Sequence, residues 1–150
     1  MAPLPGYTSS FTTMCSVPIP QKIINWDILN EIVSMDEDDP GFSQRLCLQY
    51  IDQAETTFEQ IQSELDSENS SLANLSSLSH FLKGSSASLG LQRIAWACER
   101  IQNYGKKGEG ASSIAPDSYY IDLISEALNL AREEFNAARK ELSKYYKTEL

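Results

Sequence analysis

Residues 121–145 read IDLISEALNLAREEFNAARKELSKY, and their apolar positions recur at alternating intervals of three and four. Such steps place side chains on one face of an α-helix, so these positions form a continuous apolar seam. A seam of this length is typical of a helix that packs along neighbouring helices. Its members are Ile121, Ile124, Leu128, Ala131, Phe135, Ala138, Leu142 and Tyr145.

Two further helices are predicted ahead of an acidic turn and after it. The first is short and runs from about Asn25 to Met35, where the turn 36–39 ends it. Asp39 and Pro40 predict the N-cap and the first position of a second, longer helix. Its apolar positions are Phe42, Leu46, Tyr50, Ala54, Phe58, Ile61 and Leu65.

The middle of the chain adds two more helical segments. Polar residues 67–71 precede a third helix, which Gly90 is expected to end. A fourth begins at Leu91 and stops near Gly105 or Gly108, and a short connection (108–117) precedes the last helix. No segment alternates as a β-strand would. These elements predict an all-α fold, an antiparallel four-helix bundle with an additional short N-terminal helix.

The length of 150 residues indicates one domain. Residues 1–20 hold four of the six prolines together with Ser and Thr, so we expect a flexible tail there and a folded domain over 21–150. No run of 18 apolar residues predicts a membrane span, and no basic segment followed by an apolar one suggests a secretory signal.

The formal net charge is −9, and it is concentrated in one third of the chain. Residues 31–68 contain eleven acidic residues and one basic residue. This acidic segment forms either a solvated face or a surface that steers a basic partner. Binding to nucleic acid, which needs clustered Lys and Arg, is not expected. Three widely spaced cysteines (Cys15, Cys47 and Cys98) fit reduced thiols and offer no metal site.

His80 is the only histidine of the chain. At 100° per residue, Leu75, Leu78, Leu82 and Leu89 fall on one stripe of the third helix, with Ser85 beside it. His80 falls about 140° from Leu75, almost opposite the stripe. This position excludes a core histidine but leaves an incidental surface histidine open.

The neighbours of His80 favour a functional role. Ser76, Lys83, Gly84 and Ala87 are expected on the same face, so small residues and one cation surround the imidazole. A glycine within a helix costs about 1 kcal/mol relative to alanine, which is tolerated where a partner must come close. A histidine is mostly neutral at pH 7 and offers one ring nitrogen as a nucleophile. Lys83 is placed to balance an anion on that ring.

The run HFLKGSSA, residues 80–87, resembles the signature of histidine-containing phosphotransfer (HPt) proteins. The longer run HFLKGSSASLGLQRIAWACERIQNYGKK, residues 80–107, is similar to fungal members of that family, the Ypd-type intermediates of osmosensing phosphorelays. Similarity extends to 23–39, 50–60 and 138–150, and so covers most of residues 21–150. The resemblance implies the same helical bundle.

The resemblance also implies roles for individual residues. His80 would carry the phosphoryl group, Lys83 would balance its charge, and Gly84 would leave room for the partner. Ser85 and Gln102 match positions that lie near the histidine in the fungal proteins, although the helical angle places Ser85 closer to the core.

The resemblance implies an apolar docking surface around the histidine. Ile28, Ile32 and Met35 on the first short helix and Phe81 beside His80 are the candidates, with Lys106 as a basic contact; core packing is the alternative for the apolar four. The docking role predicts that an Ile32→Ala variant binds the partner less tightly while its thermal midpoint stays nearly unchanged.

As a function, the resemblance implies a phosphorelay intermediate. It would accept phosphate from the receiver domain of a hybrid sensor histidine kinase and pass it to downstream response regulators. It would be a monomer of cytoplasm and nucleus, with no ATP site, cofactor or metal of its own and with Mg²⁺ on the receiver; no phosphate-binding loop occurs in the sequence. The alternative is a docking module that binds receivers without transferring phosphate.

Overall fold

The computed structural model describes residues 17–108 and 115–150, which are helical throughout apart from turns and connections. A short helix, α1 (Trp26–Val33), continues into a 3₁₀ helix, Ser34–Glu37. Four long helices follow: α2, Phe42–Asp66; α3, Leu72–Ser88; α4, Gln92–Gly105; and α5, Asp117–Tyr146. The predicted all-α class is therefore confirmed, with the first helix ending two residues before Met35.

The four long helices enclose one core. α4 packs between α3 and α5, and α2 closes the bundle by contacting both α3 and α5. Phe135 of α5 meets the edge of Phe58 of α2 at a ring separation of 5.4 Å. Fully burying an aromatic or aliphatic side chain stabilises the fold by about 1.5–3 kcal/mol, so this shared core holds α2 and α5 together.

The apolar seam of α5 is buried over most of its length. Its six positions from Ile124 to Leu142 are buried and Ile121 is half-buried. The seam prediction is wrong for Tyr145, which is 42% exposed. Its ring lies 5.0 Å from that of Trp26. The short helix α1 is the element alongside, and it covers only part of the tyrosine ring.

The start of α2 differs from the sequence prediction. Asp39 is not its N-cap, because Gly41 takes that position with a left-handed φ of 83° and Asp39 instead binds Arg45 at 2.7 Å. The carboxylate of Asp36 supplies the missing cap, since it accepts hydrogen bonds from the backbone N–H of Ser43 (2.7 Å) and from its hydroxyl (2.6 Å). These bonds lower the pKa of Asp36.

The turn between α3 and α4 fixes the position of α1. Gly90 ends α3 as predicted, with a left-handed φ of 78°. Its carbonyl accepts a 2.7 Å hydrogen bond from the backbone N–H of Asn25, the N-cap of α1. A Cβ at Gly90 would lie 2.5 Å from the carbonyl oxygen of Asn25, so only glycine permits this contact. The short helix is thereby attached to the end of α3.

Part of the predicted tail lies outside the described residues, namely 1–16 with Cys15. The remainder contacts α4: the indole of Trp96 donates to the carbonyl of Val17 (3.0 Å), and Arg93 donates to that of Pro20 (2.8 Å). Arg93 also pairs with Glu134 of α5 at 2.7 Å, both side chains being nearly fully buried.

The connection between α4 and α5 is described only in part, since residues 109–114 lie outside the described residues. α4 ends at Gly105, the first of the two predicted stops. Cys47 and Cys98 are buried free thiols, as expected, and burial raises the pKa of Cys98 to about 12. No helix in the described part of the chain is long and apolar enough to cross a membrane.

Candidate functional site

His80 lies near the middle of α3 and faces solvent. Within residues 17–108 and 115–150, its ring makes no hydrogen bond or ion pair. The helix places it opposite Leu75, Leu82 and Leu89, which are buried, as the helical angles predict. An exposed imidazole on a rigid helix can act as a nucleophile toward a group held by another molecule. A group bound to that imidazole can in turn be attacked by another molecule.

Lys83 stands one turn after His80 on the same helix. Its ammonium lies 3.6 Å from a carboxylate oxygen of Glu99 on α4, and about a third of its side chain is exposed. The other oxygen of Glu99 lies 2.8 Å from Arg100, a guanidinium that is almost completely buried. Lys83 was predicted from the sequence but Glu99 was not, because nothing in the sequence shows that α3 and α4 bring the two together.

Gly84 is exposed, and the space beside it is open. A Cβ built on this glycine would have no neighbour within 4 Å. No contact within the described chain therefore requires glycine here, although glycine weakens a helix by about 1 kcal/mol relative to alanine. The open surface next to His80 fits the predicted close approach of a partner.

Ser85 is half-buried, and its hydroxyl donates to backbone carbonyls of its own helix, those of Phe81 (3.3 Å) and Leu82 (3.2 Å). This arrangement is the usual one for a serine within a helix. The hydroxyl is thus engaged with the backbone rather than with His80.

The prediction that Ser76 shares the exposed face of His80 is wrong. Ser76 is buried, and its hydroxyl donates to the carbonyl of Gln102 on α4 at 3.0 Å. A Cβ on Gly105 would lie 2.8 Å from the Cβ of Ser76, so small residues on both helices allow a close approach. Gly105, three residues after Gln102, was the sequence signal for this contact.

Gln102 is a buried polar residue at the contact between α3 and α4. Its side-chain oxygen has no hydrogen-bond partner among the described residues. A buried amide oxygen left without a partner costs about 1–3 kcal/mol, and such groups are typical of functional sites. Lys106 follows immediately after α4 and is exposed.

Three of the four candidate docking residues expose a large apolar surface: Phe81 (54%), Met35 (52%) and Ile28 (37%). Ile32 is half-buried and packs against the core. Core packing therefore accounts for much of Ile32, whereas Phe81 and Met35 have apolar area that no described residue covers.

A shallow concavity next to the 3₁₀ helix was missed by the sequence analysis. Phe42 and Leu46, predicted as core, are only half-buried and line it together with Leu48, which is 43% exposed. The backbone N–H of Asp39 in its wall donates to the carbonyl of Met35 at 3.1 Å. Phe42 and Leu46 thus keep part of their apolar surface exposed on α2. Periodicity does not reveal this, because core and surface positions share the same spacing.

Among the described residues, no group of three or more His, Cys, Asp or Glu is placed to hold a metal ion. The chemistry that the site offers is that of a solvent-facing imidazole with a lysine one turn away and open space beside it.

Comparison with known proteins agrees with this geometry. The chain is 50% identical to the phosphorelay intermediate protein YPD1 of Saccharomyces cerevisiae over an alignment of 165 positions, gaps included, which covers 88% of this chain and 98% of the yeast protein. The crystal structure of yeast Ypd1p superposes with a TM-score of 0.82 at 47% identity, covering 89% of this chain and all of that one.

A second solved structure is similar to this chain to the same degree. It is the co-crystal structure of the histidine phosphotransfer signaling protein Ypd1 of Saccharomyces cerevisiae with the receiver domain of its downstream response regulator Ssk1. The Ypd1 chain matches with a TM-score of 0.81 and 52% identity, over 89% of this chain and 100% of that one. The family model described as the Hpt domain matches residues 45–140. The chain belongs to the Hpt domain family.

Proposed function

We propose that this chain is a phosphorelay intermediate that accepts a phosphoryl group from a receiver-domain aspartate onto His80 and passes it to an aspartate of a response regulator. The observation that carries the proposal is the solvent-facing imidazole of His80 with open space at Gly84 and a lysine one turn away. A relative named a phosphorelay intermediate protein is 50% identical over an alignment that covers 88% of this chain, which supports the same role here.

In the transfer step, the unprotonated ring nitrogen of His80 attacks the phosphorus of an aspartyl phosphate on the receiver. A nitrogen–phosphorus bond forms as the acyl oxygen–phosphorus bond breaks, and the aspartate leaves as a carboxylate. The second transfer is the reverse step with a different receiver. The ammonium of Lys83 stabilises the phosphoryl oxygens, whose negative charge persists throughout. Gly84 lets the receiver approach without a steric clash.

Ser85 and Gln102 are proposed to support the site. The hydroxyl of Ser85 is bound to its own helix, so it reaches a phosphoryl group only after rotating. The unpartnered oxygen of Gln102 can accept a hydrogen bond from a donor that comes close to α4. Both residues are positioning residues in this proposal.

The docking surface consists of Phe81, Ile28, Ile32 and Met35, with Lys106 as a basic contact. The exposed apolar area of Phe81, Ile28 and Met35 supports the assignment. Interfaces gain most of their affinity from a few apolar anchors that become buried on binding. The partner is a receiver domain, as in the yeast complex with Ssk1.

We further propose a donor receiver on a hybrid sensor histidine kinase of an osmosensing pathway, and several downstream regulators as acceptors. The protein acts as a monomeric carrier. It uses no ATP and no metal of its own, because a receiver supplies the activated phosphate and its Mg²⁺. It works in both cytoplasm and nucleus, and meets the sensor and the response regulators one after the other.

The experiment is transfer of labelled phosphate from a phosphorylated receiver domain to the wild-type chain and to a His80→Gln variant. We expect acid-labile label on the wild type and none on the variant, with equal receiver binding by both. Receiver binding without any label on the wild type would instead indicate a docking module.

A further inference from the structure

The carboxylate of Glu99 faces the ammonium of Lys83 across the contact between α3 and α4. The two groups lie 3.6 Å apart, and both side chains are partly exposed, by 33% and 40%. An ion pair with this exposure is weak and exchanges readily. Lys83 is thus held beside His80 by a partner that it can leave.

Glu99 is itself held in place from the other side. Arg100 lies 2.8 Å from its second oxygen, and the guanidinium of Arg100 stacks 4.8 Å from the ring centre of Trp96. Arg100 is 1% exposed, so its charge is fixed in the wall of the bundle. The carboxylate therefore cannot follow Lys83 far when the ammonium moves.

We propose that Glu99 is a competing counter-anion for Lys83, and that phosphorylation of His80 draws the ammonium from Glu99 to the phosphoryl group. This inference rests on the proposed function of His80. Glu99 is a positioning residue that acts through Lys83: it keeps the ammonium near His80 at rest and limits how strongly the ammonium stabilises the phosphoryl group. The phosphorylated carrier is thereby kept able to release its phosphate.

The charges explain the direction of the effect. With Glu99 present, Lys83 is shared between two anions. With Glu99 made neutral, the whole charge of Lys83 acts on the phosphoryl group, whose dianionic form gains stability. The negative charge of Glu99 is balanced by Arg100, so its direct repulsion of the phosphoryl group is small compared with its hold on Lys83.

The test is a ³¹P NMR titration of the chain phosphorylated on His80 by phosphoramidate, which needs no receiver. We expect Glu99→Gln to lower the pKa of the phosphoryl group, with a two- to five-fold change in its proton affinity. The glutamine oxygen still accepts a hydrogen bond from Arg100, so the fold is retained. Lys83→Ala is expected to raise the same pKa.

The double variant shows whether Glu99 acts through Lys83 or directly on the phosphoryl group. If Glu99 acts through Lys83, Glu99→Gln has little effect on the phosphoryl pKa in the Lys83→Ala background. An undiminished effect there, or equal values for wild type and Glu99→Gln, would overturn the proposal. Glu133→Gln, at an exposed glutamate on α5, is the matched control for a lost charge and is expected to leave the phosphoryl pKa unchanged.

A second readout links the inference to transfer. At equilibrium with a phosphorylated receiver, Glu99→Gln is expected to retain two- to five-fold more phosphate on His80 than the wild type. Label on both chains in equal amounts would refute the role of Glu99 and leave the proposed function intact. A wild type that accepts phosphate from neither donor would refute both.

Discussion

Gly84, beside His80, and Gly105, at the contact between α3 and α4, have opposite effects on stability when each is replaced by alanine. Gly84→Ala adds a methyl group to open space on a helix, so we expect the free energy of unfolding to rise by about 0.5–1 kcal/mol. Gly105→Ala is expected to lower it, because the Cβ would lie 2.7 Å from the carbonyl oxygen of Leu72. Urea unfolding of both variants measures the difference.

Gly84→Ala is also expected to change the affinity for a receiver domain. Gly84→Ala should weaken binding of a receiver domain although it stabilises the fold, since the methyl group occupies the surface that the partner approaches. A Gly84→Ala variant that binds as tightly as the wild type would show that the open space is not part of the interface.

At this scale the sequence predicts exposed functional residues better than buried polar ones. The angle of His80 correctly placed it opposite the leucine stripe. Ser76 was misplaced because the leucine stripe marks only one buried face of α3, whereas the flank that carries Ser76 packs against α4. Ser76, Ser79 and Ser86 are all buried, with hydroxyls bonded to a carbonyl of α4, to carbonyls of α3 and to Tyr50, respectively. A satisfied hydroxyl costs little to bury.

At the scale of the helices, the cap of α2 predicts a dependence of stability on pH. The pKa of Asp36 is lowered in the folded protein by its bonds to Ser43. Its contribution to stability is therefore fully present above the unfolded value of 3.8 and is lost as the pH falls through the lower folded value.

We expect Asp36→Asn to be less stable than the wild type at pH 7, and the difference to shrink below pH 3.8. The measurement is the free energy of unfolding between pH 7 and 2.5. Asp39→Asn is the matched control, because Asp39 forms an exposed ion pair with Arg45 and does not cap the helix. Equal losses for both variants would contradict the assignment of the cap.

The apolar docking surface is expected to depend on Phe81. Phe81→Ala is expected to weaken receiver binding by about 1 kcal/mol or more while leaving the thermal midpoint unchanged, since its ring is 54% exposed. Val17→Ala, another exposed apolar residue (49%), should leave affinity unchanged. Binding by titration calorimetry decides, and equal affinities for Phe81→Ala and the wild type would remove Phe81 from the interface.

Ile32 is a less selective probe than the sequence suggests. Because its side chain packs partly against the core, truncation to alanine is expected to lower both receiver affinity and the thermal midpoint. The short helix was foreseen as an element, but which of its apolar residues face the core depends on its attachment to Gly90, and periodicity does not specify that.

For the molecule as a whole, the buried pair of Arg93 and Glu134 joins α4 to α5 and holds the chain at Pro20. Arg93→Met leaves a buried carboxylate unpaired, and we expect a loss of about 3–5 kcal/mol in the free energy of unfolding. The double variant with Glu134→Leu should recover much of that loss. A double variant no more stable than Arg93→Met would show that the pairing is not the source of the cost.

The sequence predicted the class of fold well, because the seams of α2 and α5 define long helices without any tertiary information. Pairings across the bundle, such as Lys83 with Glu99 and Arg93 with Glu134, were not foreseen. They depend on the rotation of each helix about its axis, which the packing between helices determines; for α3 and α4 that packing includes the close approach of Ser76 and Gly105.

In the proposed relay, phosphate passes through His80 between two receivers. The most direct measurement uses a labelled donor receiver, this chain and a second receiver of different size. We predict label on the second receiver with the wild type and none with His80→Gln. Equal label on the second receiver with both chains, or none with either despite binding, would contradict it.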